Sequence, residues 1–232
     1  MIVLRPAKER GFEDKGWLQS YHTFSFNTYY DPDFVGFRSL RVINEDTVKG
    51  GKGFGSHNHS DMEILTYVLE GALEHRDSLG NTRMISQGEV QQMSAGTGIV
   101  HSEYNLSHQM PVHFLQIWIQ PNQMGLTPSY AQKAFTTASK WGQWCLIASR
   151  NARGGSLMIH QDADLYSTIL DQGDELVFEG LADRGYYVHI VSGKFLVLGA
   201  SMKAGDGAFI TEELSILFKC QEGGELLLFD LA

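Results

Sequence analysis

The chain has 232 residues, of which 43% are hydrophobic and 19% are charged, a balance typical of a folded globular protein and not of a disordered one. Eighteen Lys and Arg residues stand against 27 Asp and Glu residues, so the formal net charge is −9, which argues against a protein that binds nucleic acid through clustered positive charge. No apolar run approaches the roughly 18 residues of a membrane span, and residues 1–6 lack the apolar region of a secretory signal, so we expect a cytoplasmic protein with no membrane or nucleic-acid partner.

Short apolar runs alternate with glycine-containing turns along the chain, a pattern typical of an antiparallel sandwich or barrel. Val, Ile, Leu, Phe and Tyr dominate these runs, as expected for half-buried strands. Helical periodicity is weak, and the best candidate for a helix or a connector is Ser129–Gln143. The predicted strands are Ile64–Leu69, Val112–Ile119, Tyr186–Val191, Phe195–Leu198, Leu214–Phe218 and Glu225–Leu231.

A faint internal repeat suggests that the two halves of the chain are similar. The segment around Gly71 resembles the segment around Gly193, 122 residues later, and the segment at Gly88 resembles the one at Gly205, 117 residues later. The sequence therefore predicts two β-barrels in tandem, formed by residues 1–135 and 136–232.

Two segments of the first half carry metal-ligand residue types at alternate positions. His57 and His59 follow a glycine-rich stretch, and His101 and Glu103 follow another some forty residues later. Because alternate residues of a strand point to the same face, two strands could supply two ligands each to one cation. A lone His-x-His pair is as often two unrelated surface histidines, so the second pair is what favours a metal site. Three imidazoles and one carboxylate suit iron, nickel, copper, zinc or manganese.

The spacing around these residues resembles the two sequence motifs of the cupins. Two departures from the usual cupin pattern resemble the pirin branch of that superfamily. Ser94 replaces the usual proline, and four residues instead of two separate Gly96 from His101 in the second motif. Most of residues 1–120 share this resemblance, and the second half matches more loosely. The two motifs are Gly51-x5-His57-x-His59-x3-Glu63 and Gly88-x5-Ser94-x-Gly96 with His101 and Asn105.

The resemblance to pirins implies an all-β bicupin, two tandem cupin β-barrels of the double-stranded β-helix type, with metal in the N-terminal barrel only. It implies one divalent transition metal ion, with iron as the predicted ion and zinc, nickel, copper and manganese as alternatives. Glu63, a ligand position in many cupins, is kept as a group that orients a histidine N–H from outside the ligand set. Strand parity does not separate it from Glu103, since residues 57, 59 and 63 would share a face. The implied ligands are His57, His59, His101 and Glu103.

The C-terminal barrel is predicted to bind no metal. At the two repeat offsets, the four ligand positions fall on residues that cannot reproduce a three-histidine site, so we expect a structural or gating role. Two barrels in one chain also supply the pairing that single cupins gain by dimerising, which favours a monomer. The residues at the four positions are Glu179, Leu181, Phe218 and Cys220.

The remaining histidines, aromatic residues and cysteines have simpler interpretations. The histidines are expected to be structural or solvent-facing, with His22 as the exception that lies near the pocket. The aromatic residues of 24–37 are expected to pack against the barrel, with an aromatic wall for a planar substrate as the alternative. Cys145 and Cys220 are expected to be inert buried thiols. The other histidines are His75, His108, His113, His160 and His189.

The resemblance implies a quercetin 2,3-dioxygenase-like oxidoreductase, which cleaves flavonols such as quercetin with O2 and releases carbon monoxide. Glu103 is the predicted catalytic base, because a carboxylate at the metal can take the proton of the flavonol 3-hydroxyl. A redox-sensing, metal-binding regulator without turnover is the alternative. A different cupin enzyme with the same ligand set is the third hypothesis, because a fold does not by itself determine a function.

Overall fold

A computed structural model describes residues 1–232. The chain is almost entirely β-structure, with one four-residue α-helix, α1 (Thr137–Lys140), and two short 3-10 helices at Ala7–Glu9 and Arg153–Gly155. None of these helices has the length and apolar character needed to cross a membrane. The chain divides into two compact units, and each contains one larger and one smaller antiparallel sheet.

The first unit consists of residues 11–135 and 157–161. Its larger sheet has the strand order β12-β9-β6-β11-β4-β3-β2, and its smaller sheet has the order β5-β10-β7-β8. The strands of residues 11–135 are β2 (Gly11–Asp14), β3 (Leu18–His22), β4 (Leu40–Val48), β5 (Gly53–His59), β6 (Glu63–Glu70), β7 (Ala72–Asp77), β8 (Thr82–Ser86), β9 (Glu89–Ser94), β10 (Ile99–Tyr104), β11 (Val112–Ile119) and β12 (Ser129–Ala134), and β14 (Leu157–Met158) lies in the second segment.

The two sheets of the first unit share an apolar core at one end of the barrel. Val48, Val112 and Phe114 of the larger sheet pack in one cluster with Leu73 and Ile85 of the smaller sheet. Alternate side chains of each strand point inward, so the two inner faces meet as in a sandwich. A second apolar cluster of Ile64, Met93, Ala95 and Ile99 also joins the two sheets, and the same interior contains the candidate site.

The second unit consists of residues 1–10, 136–156 and 162–232. Its larger sheet includes the strand order β1-β20-β17-β22-β15-β13, and its smaller sheet has the order β16-β21-β18-β19. The strands are β1 (Ile2–Arg5), β13 (Cys145–Ser149), β15 (Ala163–Leu170), β16 (Glu175–Glu179), β17 (Gly185–Ile190), β18 (Lys194–Val197), β19 (Ala200–Lys203), β20 (Gly207–Thr211), β21 (Ser215–Glu222) and β22 (Gly224–Leu231).

Large apolar side chains from both sheets fill the interior of the second unit. Tyr186, Phe195 and Phe218 are fully buried in one cluster that also contains Cys220. Two of the four positions that correspond to the predicted ligands of the first barrel, Phe218 and Cys220, therefore lie in an apolar core. The barrel interior is occupied by its own side chains.

Every predicted strand overlaps an observed strand, and β11 has the predicted limits. The segment Ser129–Gln143, the best candidate for a helix or a connector, is not a continuous helix. Residues 129–134 form β12, which pairs with β9 at the edge of the sheet, and only α1 is helical. Thr136 begins α1 by accepting a hydrogen bond from the Ser139 N–H at its Oγ1, 3.2 Å away, as an N-cap does.

The observed units differ from the predicted ranges at two places. Residues 1–10 belong to the second unit because β1 pairs with β20, with Ile2 opposite Ile210. Residues 157–161 belong to the first unit. The repeated glycines lie in equivalent turns that connect the larger sheet of each unit to the smaller one, Gly71 between β6 and β7 and Gly193 between β17 and β18. Both have φ near +80°, which glycine adopts without strain.

Candidate metal centre

Neighbouring strands β5 and β10 bring the three predicted histidine ligands together. His57 lies directly opposite His101 in the antiparallel register, and His59 lies opposite Ile99. The ring centroids of His57 and His101 are 4.4 Å apart, and those of His59 and His101 are 5.0 Å apart. One ring nitrogen from each of the three lies within 4.8 Å of the others. The three imidazoles therefore converge on one point.

Hydrogen bonds to Nδ1 leave Nε2 of two of these histidines available to a cation. His57 Nδ1 lies 2.8 Å from the carbonyl oxygen of Gly55, which can only accept, so this nitrogen carries the hydrogen. His101 Nδ1 lies 3.5 Å from Nδ1 of His75, whose Nε2 lies 2.9 Å from the Asp77 carboxylate. Since His75 donates to Asp77 from Nε2, its Nδ1 accepts, and His101 donates. The Nε2 of His101 is buried and has no hydrogen-bond partner.

Burial keeps His59 and His101 neutral. Burial and, to a smaller extent, the neighbouring His57 lower the pKa of His59 to about 4. Burial also lowers the pKa of His101, with smaller contributions from His57 and His59. Neutral imidazole is the form that binds metals. Together with the unpartnered Nε2 of His101, this shows that the residues fit a divalent transition metal.

Glu103 lies on β10 two residues after His101, and its carboxylate faces the same cavity. One ligand atom each from Glu103, His101 and His75 lies within 4.8 Å of the other two. His101 forms a second such group with His57 and His59. The structure thus places the fourth predicted ligand beside one of the three histidines. A β-bulge interrupts the pairing with β5 between His101 and Glu103, which sets the local direction of the strand.

A row of polar side chains crosses five strands of the larger sheet beneath Glu103. Each member lies opposite the next in the strand register, so all five point to the same face. Isolated polar residues in otherwise apolar strands are the signal that could have found this row from the sequence. We refer to it as the polar row, and in spatial order it consists of His22, Asn44, Gln116, Thr66 and Gln91.

Three members of the polar row donate hydrogen bonds to Glu103. Thr66 Oγ1 and Gln91 Nε2 donate to Oε1 at 3.2 and 3.3 Å, and Gln116 Nε2 donates to Oε2 at 2.6 Å. These donors favour the charged carboxylate, but burial outweighs them and raises the pKa of Glu103 to about 7. A carboxyl group with a pKa near neutrality can both hold and release a proton at physiological pH.

A second buried carboxyl, Asp46 on β4, also lines the cavity. It lies in the row next to the polar row, between Ser20 and Phe114. Burial raises the pKa of Asp46 to about 7, against a hydrogen bond from Ser20 that lowers it. Asp46 also raises the pKa of Glu103 by repulsion. Asp46 is not apparent as a site residue from the sequence, because an acidic residue beside Glu45 resembles a solvated surface.

Glu63 lies outside this cavity. The turn at residues 60–62 breaks the alternation between β5 and β6, so parity cannot be carried from His59 to Glu63. Its carboxylate accepts hydrogen bonds from Gln92 Nε2 at 2.9 Å, from Ser94 Oγ at 2.7 Å and from Nδ1 of His160 at 3.2 Å. It does orient a histidine, but that histidine is not one of the predicted ligands.

The cavity has a volume of about 300 Å³, at the lower end of small-molecule sites. Its aromatic wall is formed by Trp17, Phe26, Phe54 and Trp118, of which only Phe26 belongs to the aromatic segment noted in the sequence. His22 lines the cavity as expected, with Nδ1 2.8 Å from Asn44 Oδ1. Cys220 is buried and Cys145 is partly exposed, and both are free thiols.

Fold and site together define a two-barrel cupin with a histidine-rich candidate metal centre in its first barrel. The Pirin family profile matches residues 3–119, and the profile of the quercetinase C-terminal cupin domain matches residues 146–231. The chain belongs to the pirin family.

Relatives of known name cover the whole chain. A protein of Escherichia coli K12 named quercetin 2,3-dioxygenase is 48% identical over 231 residues, which are 100% of this chain and 99% of that protein. The pirin-like protein YhaK of the same strain is 35% identical over 236 residues, which are 100% of this chain and 99% of that protein. The crystal structure of the bacterial pirin YhhW from Escherichia coli in complex with nickel(II) is similar with a TM-score of 0.96 at 48% identity, covering 100% and 99% of the two chains. The nickel complex supports a divalent metal in this family.

Proposed function

We propose that the protein is a metal-dependent quercetin 2,3-dioxygenase that cleaves flavonols with O2 and releases carbon monoxide. What carries this assignment is one feature of the cavity: the buried carboxyl of Glu103 lines it together with three convergent imidazoles. The full-length relative named quercetin 2,3-dioxygenase supports the flavonol as the substrate.

His57, His59, His101 and Glu103 would hold the metal ion. When bound, a divalent metal supplies Lewis acidity to the flavonol 3-hydroxyl and a centre at which O2 can react. We propose iron as the resident ion, with nickel, zinc, copper and manganese as the other ions that a three-imidazole, one-carboxylate set accepts. The monomeric state, the cytoplasmic location and the absence of nucleic-acid and membrane partners stay predictions from the sequence.

Glu103 is the residue that moves a proton. Its carboxylate accepts the proton of the flavonol 3-hydroxyl, since it faces the cavity beside His101 and a carboxylate can act as a general base. Gln116, Thr66 and Gln91 fix the two oxygens by donated hydrogen bonds, which leaves little freedom to the carboxylate and orients it for the transfer.

The aromatic side chains orient the substrate and exclude water. Trp118 meets the ring of His59 edge-on at 4.9 Å between centroids, and Phe54 lies in the wall beside the histidines. A planar flavonol can stack or pack edge-on against such rings. Displacing water from the cavity strengthens the electrostatic interactions of Glu103 with the reacting hydroxyl.

The test is turnover by protein loaded anaerobically with Fe(II), Mn(II), Ni(II), Cu(II) or Zn(II), followed as loss of quercetin and release of carbon monoxide on exposure to O2. The wild type should turn over with at least one ion. Glu103→Gln keeps the shape of the side chain and removes the base, so we expect a decrease in kcat of about 10²-fold or more. Glu45→Gln, whose carboxylate pairs with His113 on the other face of the sheet, should have wild-type kcat. Stoichiometric metal without turnover of quercetin for any ion would reject the dioxygenase and favour the regulatory alternative.

A further inference from the structure

Asp46 presents a buried carboxylate oxygen that nothing in the protein satisfies. The side chain is 3% exposed, and its Oδ1 atom has no hydrogen-bond partner, although the Ser20 hydroxyl donates to the carboxyl group. Buried polar groups are nearly always paired, because an unpaired one costs free energy. An orphan acceptor in a cavity wall therefore indicates a donor that arrives with a ligand.

The metal ion does not account for this oxygen. Neither of the two residue groups that could hold a cation includes Asp46. The three polar-row side chains that donate to Glu103 do not donate to Asp46, since their hydrogen bonds go to the Glu103 oxygens and, from Gln91, to Thr66. Asp46 lies two residues after Asn44 on β4, on the same face as the polar row and between Ser20 and Phe114. It is a second polar point in the same cavity.

The surroundings of Asp46 indicate which kind of ligand supplies the donor. Trp17 and Phe54 line the same cavity and meet edge-to-face, with ring centroids 5.5 Å apart, and Phe114, opposite Asp46, contacts Phe54 in the same way at 6.5 Å. A lone carboxylate acceptor among aromatic rings is suited to a hydroxyl group on an aromatic ring. It does not suit an anionic ligand group, which it would repel.

We propose that Asp46 is a substrate-binding residue that accepts a hydrogen bond from a phenolic hydroxyl other than the one that reaches Glu103. The inference rests on the proposed function, because it takes a flavonol as the substrate. Asp46 thereby selects polyhydroxylated flavonols over those that carry the 3-hydroxyl alone. A site built to bind a hydroxyl discriminates strongly against an analogue that lacks it, since its own polar group is then left unpaired.

The experiment measures binding without turnover. Nickel-loaded protein under argon is titrated with quercetin and with 3-hydroxyflavone, which lacks the other hydroxyls, and quenching of tryptophan fluorescence reports the Kd. Both ligands share the 3-hydroxyl contacts, so these cancel in the ratio of the two Kd values. The wild type should bind quercetin more tightly. At pH 8, where Asp46 is ionised, the Kd for quercetin should rise about 10- to 100-fold in Asp46→Ala, as expected for a hydrogen bond to a charged group, and the Kd for 3-hydroxyflavone should stay within about twofold.

Two further variants keep the result interpretable. Asp46→Asn retains the volume and one acceptor oxygen, so the quercetin-specific loss should be smaller than in Asp46→Ala, and this variant decides the question if the alanine variant does not fold. Glu45→Ala, on the same strand but the opposite face, should leave the ratio unchanged. Equal losses for both flavonols in the Asp46 variants, or no loss, would overturn the proposal even if the wild type turns over quercetin. A quercetin-specific loss without turnover would sustain it while rejecting the dioxygenase.

Discussion

At the scale of single residues, the first barrel buries two carboxyl groups in one cavity and stabilises them differently. Glu103 receives three donated side-chain hydrogen bonds. Asp46 receives only the one from Ser20 and keeps an oxygen without a partner. Both have a pKa near 7 because burial outweighs the hydrogen bonds. Such sites are commonly less stable than they would be with apolar residues, in exchange for function.

The raised pKa of Asp46 predicts a pH-dependent stability difference. Its value is about 7 in the folded protein against 3.8 for the ordinary carboxyl, so between these values the unfolded chain releases the proton and the folded chain keeps it. The free energy of unfolding contributed by this group therefore falls as the pH rises from about 4 to about 7 and is constant above that range. Asp46→Asn removes this dependence.

Urea unfolding of metal-free wild type and Asp46→Asn at several pH values measures this difference. The variant should gain stability relative to the wild type as the pH rises through the window and should show a constant advantage above pH 7. If the free energies of unfolding of the two proteins differ by the same amount at pH 4 and pH 8, the Asp46 carboxyl is hydrated in the folded protein.

At the scale of elements, β7 pairs with β10 in the smaller sheet and carries the side chains that orient His101. His75 and Asp77 both lie on β7, opposite Glu103 and His101 in the register, and the chain of hydrogen bonds from Asp77 through His75 to His101 fixes which nitrogen of His101 faces the other histidines. Carboxylate partners of this kind raise the basicity of a histidine ligand and hold its ring in place.

Asp77→Asn should therefore weaken metal binding about 10- to 100-fold, measured as the nickel affinity in competition with a chelator. The reason is that a neutral amide no longer requires the hydrogen of His75 to be on Nε2. Glu74→Gln is the matched control, because Glu74 lies on the same strand and pairs with Arg76 at the surface. Unchanged affinity in Asp77→Asn would assign the hydrogen-bonded chain a purely structural role.

The sequence predicts strands well where apolar runs are bounded by proline or glycine, as at β11, which lies between Pro111 and Pro121, and at β22, which begins at Gly224. It fails at residues 129–134, because the weakly apolar edge strand β12 is stabilised by pairing with β9 and not by its own composition. The convergence of His57, His59 and His101 follows from strand alternation once the strands are paired. The position of Glu63 does not, because alternation stops at the turn before β6. The donors to Glu103 depend on the register of five strands, which no local pattern contains.

At the scale of the whole molecule, the two barrels have opposite interiors. The first contains a cavity with polar walls, and the second is filled by large apolar side chains. Close packing stabilises a barrel and leaves no room for a ligand. A cavity leaves room for a ligand and its reaction, but it has fewer stabilising contacts between side chains. The repeat seen in the glycine turns therefore reflects a shared fold with divided roles.

Phe218→Ala should lower the free energy of unfolding by about 3–5 kcal/mol, the usual cost of removing a fully buried phenylalanine, because Phe218 is completely buried in the second barrel. Folded protein should nevertheless retain its full metal content, since the metal centre lies in the other unit. Denaturant unfolding and elemental analysis of the folded fraction test the two parts. Loss of metal from a variant of unchanged stability would contradict this division of roles.

The polar row also determines which mutations in β11 the protein can tolerate. Gln116 faces Glu103 only because β11 has its present register, and a one-residue shift in a strand exchanges its two faces. A single-codon deletion or insertion in the middle of β11 would turn Gln116 outward and bring the apolar Leu115 or Ile117 beneath the carboxylate. A point substitution in this strand would change one side chain. A change of length would remove the hydrogen bond from Gln116 to Glu103 and also disrupt the pairing of β11 with β4 and β6. Alignments of this strand across the family should therefore contain substitutions and no gaps.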